Sequence, residues 1–170
     1  MNMVERYFMA CEQAGRPDVQ AETYYDWEDY HRPFSLLLEE ELTWQECKEM
    51  VARVWAAYTH TLPPVLKSLP PCAGASAACR QYIKLAPHHR NAAYVLHETA
   101  HALLYLRWPV SYRADKGRME GHGPEFARIH AEIVNAEYNI PMSTIVASMR
   151  KKGIKIAFRH EVPRPLKERR

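Results

Sequence analysis

The sequence predicts an α+β fold, mainly helical, with a small β-sheet set beside one long buried helix. Three observations carry this expectation. Residues 43–62 repeat apolar side chains at helical spacing behind a capping signal. Residues 92–107 contain no glycine or proline and are apolar almost all round. Residues 80–85 alternate with the period of a strand. At 170 residues the chain can bury one core without disulfide or metal staples, which favours a single domain.

Taken in order, Val4, Tyr7, Phe8 and Cys11 fall on one face of a helix over residues 3–14, ended by Gly15-Arg16-Pro17. "ETYYDWEDYHRPF", residues 22–34, is dense in aromatics and acids but has no clean period, so it is expected as an irregular strap packed by its aromatics. Thr43 and Glu46 form a capping box, and Cys47, Val51, Val54, Trp55 and Tyr58 make the buried stripe of the helix that follows, up to Pro63-Pro64. "LPPCAGASAAC" at 69–79 is a connection leading to the strand at 80–85. Pro87 opens the next helix, which ends near Trp108-Pro109. A polar loop at 110–121 leads to a helix from Gly123-Pro124 to about Tyr138, with Ile129, Ile133, Val134 and Glu137 on one face. Ser143 is expected to cap a last helix through Lys152, stopped by Gly153, and residues 154–158 alternate as an edge strand would. The expected organisation is one domain over 1–160, comprising an acidic N-terminal segment (1–42) and a core (43–160), followed by a basic tail at 161–170.

Composition narrows the class. Apolar residues make up 47% and charged residues 25%, as in ordinary soluble domains. No apolar run approaches the ~20 residues that span a bilayer, and the N-terminus lacks a secretory pattern, so no membrane role and a cytoplasmic location are expected. The four cysteines, Cys11, Cys47, Cys72 and Cys79, form no C-x-x-C pair, which argues against a zinc ribbon or redox dithiol. Cys72 and Cys79 bracket a loop, and free thiols are expected there over a disulfide. Net charge is +3 but uneven. Residues 1–50 carry 4 basic and 12 acidic side chains, whereas residues 149–170 carry 9 and 2. The basic C-terminal segment is a candidate contact for nucleic acid, or a solvated tail.

"YVLHETAHALLYL", residues 94–106, carries the chemistry. In a helix His97 and His101 lie one turn apart on one face, where both can reach one metal ion. Glu98 stands beside that position rather than on it, as suits a base accepting the proton of a metal-bound water. A random chain of this composition shows H-E-x-x-H about once in twenty-five, so the spacing alone does not decide. The helix does: one that is apolar nearly all round holds two histidines and a glutamate only if something compensates them. A catalytic zinc takes three protein ligands and keeps one position open. His122 in "EGHGPEF" is the favoured third, with Glu125 and then Glu120 as competitors. Tyr112, Arg113 and His130 are candidate donors to an oxyanion, although His130 reads first as a helix-surface residue. His88 and His89 read as surface residues that could also line the cleft, and His31, His60 and His160 have no assigned role.

"HETAHALLYL…GHGPEF" resembles the SprT-like, Spartan-related zinc metalloproteases, whose pattern is HExxH followed by HGxxF. His97, Glu98 and His101 match the first element; His122, Gly123 and Phe126 match the second. The resemblance covers about residues 80–140. It implies a zincin-like fold, Zn²⁺ held by His97, His101 and His122, Glu98 as catalytic residue, and a peptide or protein substrate. It also implies that the strand before the metal-site helix, residues 81–85, is a sheet edge along which a peptide could lie. The zinc ribbon that many such proteins carry has no counterpart here, and residues 1–42 have no assigned match. The function expected is a zinc metallopeptidase; a non-peptidase zinc hydrolase or an assembly protein with a retained metal site are the alternatives.

Overall fold

The computed structural model describes residues 20–30, 34–73, 76–107, 121–159 and 162. The expected helix at 3–14, nearly all of the loop at 110–121, the basic tail save Val162, and Glu120, Tyr112, Arg113, Cys11, His31 and His160 lie outside these residues. Among the described residues, six α-helices and a three-stranded sheet make an α+β arrangement.

The aromatic strap is a helix, α1 (Ala21–Tyr30), contrary to the sequence expectation. Its buried residues are Tyr24, Trp27 and Glu28, an i, i+3, i+4 set that the surrounding acids and aromatics mask in the sequence. Trp27 packs on Phe34 of the short α2 (Phe34–Glu39), with ring centroids 4.0 Å apart, and donates through its indole N–H to Ser148 Oγ at 3.0 Å. Core packing therefore holds a helix that local propensity does not announce.

The capping box forms as expected at α3 (Trp44–Tyr58): Glu46 N–H donates to Thr43 Oγ1 at 3.2 Å, and Thr43 N–H donates to Glu46 Oε2 at 2.7 Å. The buried stripe holds Met50 as well as the five residues expected. The helix ends at Tyr58, short of residue 62, because Thr59 turns extended and the Trp55 indole donates to the Thr61 carbonyl at 3.1 Å.

An unanticipated strand follows, β1 (Val65–Ser68), then β2 (Ala77–Ala78) and β3 (Tyr82–Leu85). The order is β1-β3-β2. β1 runs parallel to β3, from Val65 opposite Tyr82 to Ser68 opposite Leu85, and β2 pairs antiparallel with β3 at Ala77–Lys84 and Ala78–Ile83. The strand expected to be a free edge is the central one, with a neighbour on each side. Ile83 and Leu85 point to the core, as the alternation requires.

Pro87 opens only a 3₁₀ turn, Pro87–His89. The long helix α4 (Ala92–Arg107) begins after Asn91, whose Oδ1 accepts the Tyr94 N–H at 3.0 Å and so satisfies a donor of the first turn. α5 (Pro124–Tyr138) matches its expected span, with Gly123 before Pro124 at the start and Asn139 in the left-handed conformation at the end. α6 (Met142–Lys151) starts from Pro141 without a side-chain cap, so Ser143 is not the cap; Gly153, at φ 83°, follows its end. Residues 154–158 form no strand. Their backbone bonds instead to the start of α5, through Ala157 N–H to the Pro124 carbonyl at 2.9 Å, and to the Gln20 side chain, through Lys155 N–H at 2.7 Å. α4 sits centrally, packing against α5, α3, α2 and the sheet.

Candidate metal centre

α4 presents His97 and His101 one turn apart, and the turn before α5 brings His122 to them. His97 Nε2 lies 3.1 Å from His101 Nε2 and 3.2 Å from His122 Nε2. One ligand atom from each lies within 4.8 Å of the others, so the three form a buried group able to hold a metal ion. Their exposures are 2%, 8% and 7%. Two nitrogens on one tetrahedral zinc, at ~2.0–2.1 Å bonds, stand roughly 3.3 Å apart, so the donor set fits. Glu125, half-buried in the first turn of α5, is not in this group.

Each ligand is held from behind. The Gln20 amide donates to the His122 carbonyl at 2.8 Å, and its Oε1 accepts from Lys155 N–H, which pins the turn ahead of α5. Phe126 stacks on the His101 ring with centroids 4.2 Å apart. Both oxygens of Glu28 approach His97 Nδ1, at 2.9 and 3.0 Å. Tyr25, 43% exposed, stacks on His97 and sets its ring edge-on to His122 at 4.8 Å, so it forms the outward wall of the cluster.

His130 is a correction to the sequence reading. It is 1% exposed rather than on the surface, and too buried to touch a substrate. Its Nδ1 lies 2.7 Å from Tyr24 Oη and 3.5 Å from Glu28 Oε1. Burial lowers its pKa to about 4, outweighing the nearby Glu28, so the ring is neutral near pH 7. His89 is also no simple surface residue: it bonds Ser76 Oγ at 2.9 Å and stacks on Tyr94 at 3.8 Å. His88 and His60 are exposed.

Electrostatically the centre favours a cation. Burial pushes Glu28 up to about 7, with His130 and His122 pulling the other way. Burial, and then the charge of Glu28, pushes Glu98 up to about 8. Glu98 Oε2 is buried with no hydrogen-bond partner among the described residues. A cation bound among the three imidazoles would stabilise the charged form of both buried carboxyls and draw these values down.

Sequence reasoning missed Glu28, Tyr24, Tyr25 and Gln20. The available signal was the Tyr24, Trp27, Glu28 spacing, together with the need of a metal-binding histidine for an acceptor on its other nitrogen. Cys47, Cys72 and Cys79 are free thiols. No described helix is long and apolar enough to cross a membrane. No protein-family model, curated protein or solved structure matches the chain.

Proposed function

We propose that the protein is a zinc-dependent hydrolase of zincin-like build, and that it is a metallopeptidase. The observation that carries this reading is the buried His97–His101–His122 group with Glu98 next in the chain, its Oε2 buried and without a hydrogen-bond partner among the described residues. Structural zinc usually has four protein ligands, whereas this group offers three among the described residues, and a structural site has no use for Glu98. The resemblance of HETAH and HGPEF to the SprT-like pattern supports peptide as the substrate.

His97, His101 and His122 would hold the ion through Nε2. Zinc bound there supplies Lewis acidity, polarising a carbonyl and drawing the pKa of a water toward ~7. Glu98 accepts the proton of the attacking water and passes it to the leaving amine. Its pKa of about 8 without a cation falls beside one, into the range where a carboxyl can both take and return a proton near neutrality. The exposure of Tyr25 beside His97 and His122 supports an approach of substrate from that side.

One observation favours a second reading, a zinc hydrolase acting on another carbonyl. β3 is paired on both sides, so the sheet edge expected to hold a peptide there is taken. The test measures metal content and digestion of denatured casein for wild type, His122→Ala and Glu98→Gln. Expected are about one zinc per chain in wild type and Glu98→Gln, none in His122→Ala, and hydrolysis by wild type alone. A metal-free wild type after zinc is supplied would sink the proposal. Hydrolysis of small esters or amides without peptide cleavage would replace the peptidase reading with the second one.

A further inference from the structure

We propose that Glu28 is a positioning residue for the metal ligand His97, which makes helix α1 a working part of the metal centre. This rests on the reading that the three histidines bind a metal. Glu28 and His97 are 69 positions apart, yet both carboxylate oxygens meet Nδ1, at 2.9 and 3.0 Å, and both residues are buried.

The chemistry follows from the two nitrogens of imidazole. A carboxylate accepts and does not donate, so it selects the tautomer with the proton on Nδ1. The lone pair then sits on Nε2, the atom that faces His101 and His122. An isolated histidine would rotate and exchange tautomers; contact with two oxygens fixes the ring plane. The carboxylate also raises the basicity of the ligand nitrogen.

Glu28 has a second imidazole beside it. His130 Nδ1 lies 3.5 Å from Glu28 Oε1 and 2.7 Å from Tyr24 Oη. Tyr24 stands one turn before Glu28 on α1, and His130 comes from α5. α1 therefore carries the carboxylate to His97, and α5 packs the neutral His130 ring beside it. A buried carboxyl is a poor choice merely to join α1 to α4, because an apolar residue of similar volume would pack there without desolvating a charge.

The test compares wild type, Glu28→Ala and Glu28→Gln, with folding checked by circular dichroism. The readouts are zinc affinity against a competing chelator, the visible spectrum of the Co²⁺-loaded protein, and the rise in Tm on adding zinc. Glu28→Ala should bind zinc about 10- to 100-fold more weakly, with an altered Co²⁺ spectrum and a smaller zinc-induced Tm rise. Glu28→Gln keeps the volume and one acceptor, and should lose several-fold. Should Glu28→Ala fail to fold, Glu28→Gln decides. Variants that bind zinc as tightly as wild type with an unchanged spectrum, even at a lower metal-free Tm, would show a purely structural residue and overturn this proposal alone. A wild type that binds no metal would overturn the metal reading and this proposal together.

Discussion

Two helices, α4 and α1, meet at the candidate metal centre and are built on different terms. α4 is buried round most of its circumference, Val95, Leu96, Ala100, Ala102, Leu103 and Leu104 among its buried residues, and it carries the donors His97 and His101. α1 is one-sided: Tyr24, Trp27 and Glu28 are buried, while Tyr25, Asp29 and Tyr30 are exposed. α1 brings no metal donor. It brings the groups that hold one. A helix so thoroughly buried can carry polar side chains only if another element satisfies them, and α1 does this for His97. On the proposed reading, α4 supplies two of the candidate donors and α1 orders one of them.

The largest effects should come from α4. Glu98→Gln should retain zinc and lower hydrolysis by about 10²- to 10⁴-fold, the usual share of a general base, in a steady-state assay. His101→Ala should lose the metal outright by elemental analysis. If instead His101→Ala kept its metal while the Glu28 variants lost it, the division between the two helices would be reversed.

A smaller effect tests what stands behind Glu28. Tyr24→Phe removes the hydroxyl 2.7 Å from His130 Nδ1 and leaves a buried imidazole nitrogen without that partner. We expect a stability loss of about 1–3 kcal/mol in urea unfolding, with the three zinc donors still present. A loss below a few tenths of a kcal/mol would show that His130 finds another partner.

pH separates the centre from the rest of the core. Glu28 and Glu98 have folded pKa values of about 7 and 8, raised from 4.5 by burial. Raised carboxyl values mean that the metal-free fold binds protons the unfolded chain has released. Its stability should therefore fall as pH rises from about 4.5, where the unfolded chain releases these protons, to about 7 and 8, where the fold releases them. His130, lowered to about 4, acts the other way, costing stability as pH falls from about 6.5 toward 4, so above about 6.5 the carboxyls act alone. Zinc displaces the carboxyl protons, so its affinity should climb with pH through 7 to 8 and then flatten. Chelator competition at several pH values checks this; an affinity independent of pH would remove both carboxyls from the neighbourhood of the ion.

What could be read from the sequence was whatever a few neighbouring residues decide. Thr43 and Glu46 close a capping box within four positions, Gly123-Pro124 start α5 where they stand, and the four-residue spacing of His97 and His101 puts both on one turn. What could not be read depends on distant partners. β1 is mostly exposed and becomes a strand only because β3 lies parallel to it. α1 looks irregular until Tyr24 and Trp27 have a core to enter, and Glu28 has no meaning without His97. Residues 154–158 alternate convincingly, but their backbone finds a helix start and a glutamine before it finds a strand.

The smallest effect concerns the basic C-terminal segment. Cutting after Gly153 would be a poor test of its charge, because Ile154, Ala157 and Val162 are buried in the same core as α4 and their loss would damage the fold. Removing residues 163–170 takes away Arg164, Lys167, Arg169 and Arg170 against one acid, Glu168, and leaves those core residues in place. This truncation should leave zinc affinity and peptide hydrolysis within about two-fold of wild type. If the segment binds nucleic acid, its removal should flatten the dependence of DNA affinity on salt, since every phosphate no longer neutralised takes about 0.9 off the log–log slope. Intact protein that binds no DNA at low salt would take nucleic acid out of the functional reading while leaving the metal centre untouched. A truncation that lowered zinc affinity would instead tie this segment to the centre, as Gln20 already ties residue Lys155 to the turn that carries His122.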